Sequence, residues 1–405
     1  MRLTLLPLEP EEKSYTPSQM PEFRKHTNTI LKMIEKFNSV SAKLSMRELI
    51  MKTQDKNSFD LRSQLETGFL DSCHIVLTTL GSAGSKALEY CNKFECVVVD
   101  EAAQSVEPST LSALELGSSH AVLVGDPQQL PATIFSLSGR KTKFDRSLFQ
   151  RLEEAGHPVH MLDTQYRMNP MISFFPRSIF YNGELNDGPN VRKFNYGDPL
   201  RKKILSALRK FQVCLWREFL SMLLHNHSTI LNNFLLFSQA LTILNLNSSE
   251  QRSGTSLSNT AEARLALDLF LTLNRVTGNE LGKFRVAVIT PYSQQLSTLR
   301  NMFKNTEGTS KVELNTVDAF QGREADIVIF SCVRAVRAGG SSGIGFLSDV
   351  RRMNVALTRA KHFLFVIGRC DSITSNPYWR ELIVHAREKS AIVNVPVNRQ
   401  PGLIF

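Results

Sequence analysis

The sequence predicts an α/β chain built on parallel sheets, with enough strands for two of them. Three observations predict it. Short β-branched runs alternate with longer segments of helical periodicity. Most of these runs are apolar at nearly every position, as parallel strands covered on both faces require, rather than alternating. The 405 residues, 42% hydrophobic and 21% charged, allow about two to four domains around a large core, which sets disordered and collagen-like classes aside.

The elements follow in order. Residues 1–70 read as a polar helical arm, with Leu31, Ile34, Phe37, Leu44, Leu49 and Ile50 at roughly helical spacing. Residues 71–190 read as a first domain with expected strands at His74–Thr79, Cys96–Asp100, Ala121–Gly125 and Val159–Leu162, and helices at Pro108–Leu116 and Ser147–Glu154. Residues 191–250 break the alternation and read as the domain boundary. A second domain over 251–388 has expected helices at Asn259–Thr272 and Ser293–Phe303, and strands at Arg285–Thr290, Asp326–Ser331 and His362–Gly368. Residues 389–405 read as a frayed tail.

Charge and composition narrow the function. Lys and Arg number 48 against 38 Asp and Glu, a net charge of +10 that suits a polyanionic partner. The most apolar stretch, Thr229 to Leu246, is interrupted by Asn232, Asn233, Ser238 and Gln239, too polar for a membrane span. The N-terminus has an apolar run that meets acids with no small-residue cleavage site, unlike a signal peptide. Six Cys without a CxxC pair or a nearby His at ligand spacing read as free thiols in a reducing compartment.

The chemistry concentrates in short blocks. Val97-Val98-Val99-Asp100-Glu101-Ala102-Ala103-Gln104 is an apolar strand ending in two acids, the way a Walker B element places one carboxylate on Mg²⁺ and another on the attacking water. Gly125-Asp126-Pro127-Gln128-Gln129-Leu130-Pro131 is a rigid polar loop after the next strand, where an amide can bond a γ-phosphate. Gln165-Tyr166-Arg167-Met168 offers a guanidinium fork for phosphate. Further on, Arg352, Ala356 and Arg359 are expected to share one helical face.

In order, these blocks resemble the superfamily 1 nucleic-acid helicases, and most closely their senataxin-like, Upf-related branch. Thr78-Thr79-Leu80-Gly81-Ser82 resembles motif Ic, DEAAQ at 100–104 motif II, GDPQQLP at 125–131 motif III, and QYRM at 165–168 follows. Thr290-Pro291-Tyr292-Ser293-Gln294-Gln295 resembles motif IV, TVDAFQGRE at 316–324 motif V and RRMNVALTRAK at 351–361 motif VI. The resemblance implies two RecA-like parallel-sheet domains of the P-loop NTPase type, with ATP and Mg²⁺ in the cleft between them and single-stranded RNA or DNA across their tops. It assigns Asp100 and Glu101 to Mg²⁺ and water activation, with Asp100 the primary metal ligand, and Gln129 to sensing the γ-phosphate. Arg167 and Arg359 become the arginine fingers. Gln104, Gly322, Glu324 and Arg352 fall to the nucleotide, and Thr78, Thr79, Thr316 and Tyr292 to the nucleic acid, Tyr292 as a base-stacking ring or a buried core tyrosine.

Two departures stand out. No GxxxxGK[ST] phosphate loop occurs; Gly81-Ser82-Ala83-Gly84-Ser85-Lys86 has the wrong spacing and lies where the family places motif Ic. The first domain is therefore expected to be N-terminally truncated, and ATP affinity and unwinding to be impaired. The apolar segment 213–239 reads as a retained intron, since every Val codon begins with GT and CAG encodes Gln; a genuine helical insert is the alternative. The expected function is ATP-dependent RNA/DNA unwinding, RNA–DNA hybrids included. An ATP-independent nucleic-acid-binding protein and a truncated gene model are the rivals. By resemblance the compartment is the nucleus, with the cytoplasm as alternative, and there is no membrane partner.

Overall fold

Six parallel strands carry most of the buried structure, because near-continuous apolar strands can bury both faces only between two layers of helices. The computed structural model describes residues 58–134, 136–193, 195–197, 200–202, 204, 239–277, 280–335 and 344–396. Of the expected arm this includes only the helix Ser58–Asp71 and its surroundings; the segment 213–239 lies outside, apart from Gln239, as does the tail beyond 396. The described chain divides into two units, 58–125 with 134–149, and 126–133 with 150–396.

The second unit holds the six-stranded sheet. Its strands are β5 (Leu241–Leu246), β8 (Val286–Thr290), β9 (Glu313–Thr316), β10 (Ala325–Ser331), β11 (Ala360–Gly368) and β12 (Ile392–Val395), in spatial order β12-β5-β11-β10-β8-β9. All neighbours pair in parallel, with Val328 of β10 opposite both Leu364 of β11 and Ala287 of β8. Successive residues serve opposite layers, as the two-residue period of a strand requires. Val328 and Phe330 join Ile172, Phe175, Trp379 and Leu382 on one face, while Ile327 and Ile329 join Leu269, Phe270, Leu299 and Phe303 on the other. The first face is covered by helices Pro170–Phe180, Val350–Leu357 and Pro377–Glu388, the second by Thr260–Val276 and Ser293–Lys304.

Local sequence starts these helices. Asn169, Asn259, Asp349 and Asn376 each accept a first-turn backbone N–H with a side-chain oxygen, and Pro170 and Pro377 occupy the position where no N–H is needed. A short hairpin pairs β6 (Gln251–Ser253) with β7 (Ser256–Ser258). A two-residue parallel bridge pairs β3 (Thr164–Gln165) with β4 (Asn186–Asp187). The tail is not frayed throughout: Ile392–Val395 adds to the sheet beside β5, because its side chains pack alternately on the core while its backbone pairs.

The first unit is smaller. Its strands β1 (Cys96–Val99) and β2 (His120–Leu123) pair in parallel, Val99 opposite Leu123, and helix Glu107–Leu114 packs beside them. Its core is made of small residues, Ala83, Val99, Ala102 and Ala113, with Leu80, Val97, Leu123 and Phe149 around them. The strands expected at His74–Thr79, in this unit, and at Val159–Leu162, in the second, do not form; both segments are coil, with Leu77 89% and Leu162 72% exposed. An apolar run becomes a strand only where another backbone pairs with it, and among the described residues β1 and β2 pair only with each other.

Gly125 sets the close approach that follows β2. A Cβ there would lie 2.7 Å from the Ala103 backbone nitrogen and 3.1 Å from the Ala103 Cβ. Gly125→Ala is therefore expected to destabilise the protein by about 1–3 kcal/mol through overpacking against backbone that cannot yield. Gly81→Ala, where a Cβ meets nothing within 4 Å, should change stability far less. Paired denaturant titrations check this, and equal effects would refute it.

Candidate active site

The first unit presents the two acids on a strained turn. β1 ends at the buried Val99, and Asp100 follows it into solvent. Glu101 is left-handed, at φ 55° and ψ 36°, a conformation that costs a non-glycine residue of order 1–2 kcal/mol. The buried Ala102 and Ala103 anchor the turn that follows, with the Ala102 N–H donating to the Val124 carbonyl at 2.7 Å. Gln104 donates from Nε2 to Glu101 Oε2 at 2.5 Å, so Gln104 orients the second acid. Asp100 Oδ1 accepts the Glu101 N–H at 3.1 Å. Two carboxylates suit Mg²⁺, which keeps several of its waters; among the described residues no group of three or more His, Cys, Asp or Glu could hold a metal. Thr78 and Thr79 are exposed in this same unit. Thr78 Oγ1 donates to the Thr79 carbonyl and Thr79 Oγ1 to Ser82 Oγ.

The second unit gathers four of the expected residues at the amino-terminal edge of its sheet. Arg359 immediately precedes β11 and Glu324 immediately precedes β10, while the Ala325 N–H donates to the Arg359 carbonyl at 3.1 Å. Arg359 is only 2% exposed. Its guanidinium donates to Val355 O at 3.1 Å, to Arg323 O at 3.4 Å and to Gln129 Oε1 at 3.0 Å. Gln129 in turn donates from Nε2 to Asp126 Oδ2 at 2.8 Å. Arg167 sits beside this pair, its Nε 2.7 Å from Glu324 Oε2 and its Nη1 donating to Thr358 O at 3.3 Å. Lys361 Nζ holds the other oxygen of Glu324 at 2.6 Å. Burial by itself would raise the Glu324 carboxyl, but the hydrogen bonds and charges of Lys361 and Arg167 outweigh it and hold it at about 2. Glu324 is thus a carboxylate under all physiological conditions, shared between two cations.

The QYRM turn is shaped by its own glutamine. Gln165 Oε1 accepts the N–H groups of Arg167 and Met168, and its Nε2 donates to Asp187 Oδ1 at 2.6 Å. Asp187 is buried and also bonds Ser173 and Arg177. Gly322, at φ 74°, turns the chain between the Asp318–Phe320 helical turn and Glu324 in a conformation only glycine adopts freely.

Three expected residues lie at the opposite, carboxyl edge. Thr316 ends β9, and its hydroxyl accepts the Ala319 N–H at 3.2 Å. Tyr292 is 2% exposed, its hydroxyl 3.4 Å from the Ile344 carbonyl, and burial pushes that hydroxyl up to about 12. It is a core tyrosine, the second of the two sequence readings, and its ring is not available for stacking on a base. Its ring packs against Phe346, 5.3 Å between centroids, and it is Phe346 that is 50% exposed.

Arg352 also lies at this edge. It is bidentate to Asp318 at 2.8 and 3.2 Å and 3.3 Å from Asp349, with its guanidinium 5.2 Å above the Phe346 ring. Arg352 and Arg359 therefore do not present one shared face. The helix ends at Leu357 and Arg359 lies beyond it, bonding Val355 and Gln129 at the amino-terminal edge while Arg352 bonds Asp318 at the carboxyl edge.

The sequence reading missed Lys361, which bonds Glu324, and Asn354 and Tyr181, which bond the Gln128 carbonyl and Asp126 beside Gln129. The first two stand inside the RRMNVALTRAK block, but nothing in the spacing around Tyr181 marks it.

Comparison with known proteins places the chain. Residues 144–371, more than half of it, match an AAA domain family, and residues 9–137 match a second family of the same description. A probable helicase of Dictyostelium discoideum is 41% identical over 85% of this chain and 32% of its own length. Probable helicase MAGATAMA 3 of Arabidopsis thaliana is 36% identical over 82% of this chain and 38% of its own. Helicase SEN1 of Saccharomyces cerevisiae is 34% identical over 84% of this chain and 14% of its own. The chain thus spans well under half the length of these relatives. The fold is α/β, with two AAA, RecA-like regions and parallel sheets. The chain belongs to the AAA domain family and is a superfamily-1-like helicase relative of the Sen1, senataxin and Upf1 group.

Proposed function

We propose that this chain is part of an ATP-dependent nucleic-acid helicase of the senataxin-like branch, acting on single-stranded RNA or DNA and on RNA–DNA hybrids. The observation that carries the reading is the cluster in which Arg359 bonds Gln129 while Arg167 and Lys361 share Glu324. A buried guanidinium at Arg359 beside an amide, with a half-buried one at Arg167, gives donors already oriented for a phosphoryl group that gains charge in its transition state. Bound ATP would supply that phosphoryl group, and Mg²⁺ would neutralise its oxygens. In this reading Asp100 holds the metal, Glu101 takes the proton of the attacking water, and Gln104 keeps Glu101 aligned. Gln129 bonds the γ-phosphate, Arg167 and Arg359 stabilise its charge, and Gly322 and Glu324 lie near the nucleotide. Thr78, Thr79 and Thr316 offer hydroxyls and backbone to nucleic-acid phosphates. The net charge of +10 supports a polyanionic partner.

The donor set fits a triphosphate in its acids and arginines but not in its cradle, since the sequence contains no GxxxxGK[ST]. Triphosphate affinity of the chain is accordingly weak. The proposed compartment is the nucleus.

Single-strand binding across a salt series and Mg²⁺-dependent ATP turnover, each with and without RNA, test the reading. Expected are salt-dependent binding of single strands and turnover that is slow and needs millimolar ATP. Robust turnover at micromolar ATP, abolished by Glu101→Gln, would overturn the weak-affinity part. Binding of single strands without any effect of nucleotide would favour an ATP-independent nucleic-acid-binding protein, and absence of binding would overturn both.

A further inference from the structure

Tyr181 joins two segments that the proposed function uses, although it belongs to none of the recognised blocks. It follows the helix Pro170–Phe180, whose residues Ile172, Phe175 and Phe180 are locked into the core, so its ring stands on a rigid mount. Its hydroxyl donates to Asp126 Oδ2 at 2.6 Å and accepts from Asn354 Nδ2 at 3.0 Å. Asn354, fully buried in the helix Val350–Leu357, also donates to the Gln128 carbonyl at 3.0 Å. One phenol oxygen therefore ties the 126–131 loop to the helix that leads into Arg359.

The consequence falls on the side-chain amide of Gln129. A carboxylate only accepts and a guanidinium only donates, so an amide held between Asp126 and Arg359 must turn its NH₂ to Asp126 and its oxygen to Arg359. That orientation is secure only while Asp126 keeps its own. Asp126 Oδ1 is held by the Gln128 N–H at 2.9 Å, and Oδ2 takes the Tyr181 hydroxyl beside Gln129. We propose that Tyr181 is a positioning residue: by fixing Asp126 it sets the direction of the Gln129 amide and, through it, the bond to Arg359.

Burial and the neighbouring Asp126 charge raise the Tyr181 hydroxyl far above its ordinary range, so it stays a donor at any physiological pH. Asn354 Oδ1 has no hydrogen-bond partner among the described residues, which leaves Tyr181 and Gln128 as the groups its side chain addresses. The inference rests on the reading that Gln129 and Arg359 act on phosphate, but its geometry can be tested without nucleotide.

The deciding experiment is a double-mutant cycle on the full chain with Tyr181→Phe and Arg359→Lys, read as unfolding constants from denaturant titration. Tyr181 bonds the Asp126 end of the Asp126–Gln129 pair and Arg359 the Gln129 end, so a tyrosine that merely packs would give multiplicative effects. The relay predicts a departure from multiplicativity of at least threefold, and its disappearance in a Gln129→Leu background. Multiplicativity within 1.5-fold, or coupling that survives Gln129→Leu, overturns the inference. On ATP turnover, Tyr181→Phe is expected to lower kcat about tenfold with KM unchanged within twofold; equal loss in both, as a binding role would give, also counts against it. A wild-type chain without turnover at any ATP concentration tells against the helicase reading, and the cycle still decides the relay.

Discussion

Trp379→Ala is expected to cost about 3–5 kcal/mol of folding stability, among the largest effects of any single substitution in the second unit. The ring is fully buried and stacks on Phe330, with 6.0 Å between centroids and 19° between planes. Truncation removes that volume from the centre of a face where Ile172, Phe175 and Leu382 also pack, and the surrounding sheet cannot collapse to fill it. A second loss adds to the cavity. The indole Nε1–H donates to the Leu347 carbonyl at 2.8 Å, and the truncation leaves that carbonyl unpaired inside the protein. Leu347 lies in the Gly345–Ser348 turn, which ends at Asp349, the cap of the helix that carries Arg352 and Asn354 and leads to Arg359. Trp379→Phe separates the two terms: it keeps an aromatic ring but loses the hydrogen bond, and should cost about 1–3 kcal/mol. Urea unfolding followed by circular dichroism measures both, and a loss below about 1 kcal/mol for the alanine variant would refute the account.

Why some elements could be read in the sequence and others not is a matter of local signal. β8, β10 and β11 are buried on both faces, so each is an apolar run that reads as a strand without knowledge of its neighbours. Glu313–Thr316 and Ile392–Val395 stand at the two edges of the same sheet, where polar residues are tolerated, and their short mixed sequences carry no such mark. The opposite error arose at His74–Thr79 and Val159–Leu162. Each holds a short apolar run, Ile75-Val76-Leu77 and Met161-Leu162, but strand formation depends on a distant partner backbone that no local pattern encodes.

The site divides in the same way. Ordered blocks singled out Gln129, Arg167, Glu324 and Arg359, and the fold of the second unit brings these four to one edge. The hydrogen bonds that orient them span 55 residues from Asp126 to Tyr181 and 173 from Tyr181 to Asn354, distances over which sequence spacing carries no information. Tyr292 shows the limit of a motif. Its block fixes where the chain turns after β8, whereas its ring lies against Ile344, Gly345 and Phe346, which belong to another segment.

Folding stability should fall as pH rises from 7 to 8, by an amount on the order of 1 kcal/mol per unit, and Glu262→Gln should abolish that fall. Glu262 is fully buried in the first turn of the helix Thr260–Val276. It accepts the Ser331 hydroxyl at 2.7 Å and the Val333 N–H at 2.8 Å, while Gln295 bridges Ser331 and the Asn259 backbone. Burial raises its carboxyl to about 8; the bonds from Val333 and Ser331 pull the other way without cancelling that effect, and the charge of Glu250 adds to the rise. Between its ordinary value and 8 the folded protein therefore keeps a proton that the unfolded chain has released. The folded state binds more protons in this window, so stability is present below the ordinary carboxylate range and is lost as pH climbs through 8.

Two histidines act in the opposite sense. Burial lowers both His362 and His385, so the unfolded chain binds more protons as pH falls below 6.5 and stability there rises with pH. Burial also raises the Cys332 and Cys370 thiols, whose contribution runs in the same sense as that of Glu262 but grows only towards pH 9, so Glu262 dominates between 7 and 8. The bonds it makes show what the side chain does here. Val333 is left-handed at φ 70°, and the Arg334 N–H closes a tight turn on the Cys332 carbonyl at 2.8 Å. Glu262 holds the Val333 N–H and Asn259 Nδ2 donates to its carbonyl at 3.2 Å, so the strained peptide is gripped on both sides. A glutamine oxygen can accept the same two bonds without a charge to bury, which is why Glu262→Gln should be more stable than the wild type at pH 8. Glu262→Ala should be less stable than either, since it leaves the Val333 N–H unpaired. Guanidinium titrations of the three proteins at pH 7.0, 7.5 and 8.0 give the slopes; a wild-type slope of zero, or one that Glu262→Gln leaves in place, would show that another group titrates in this window.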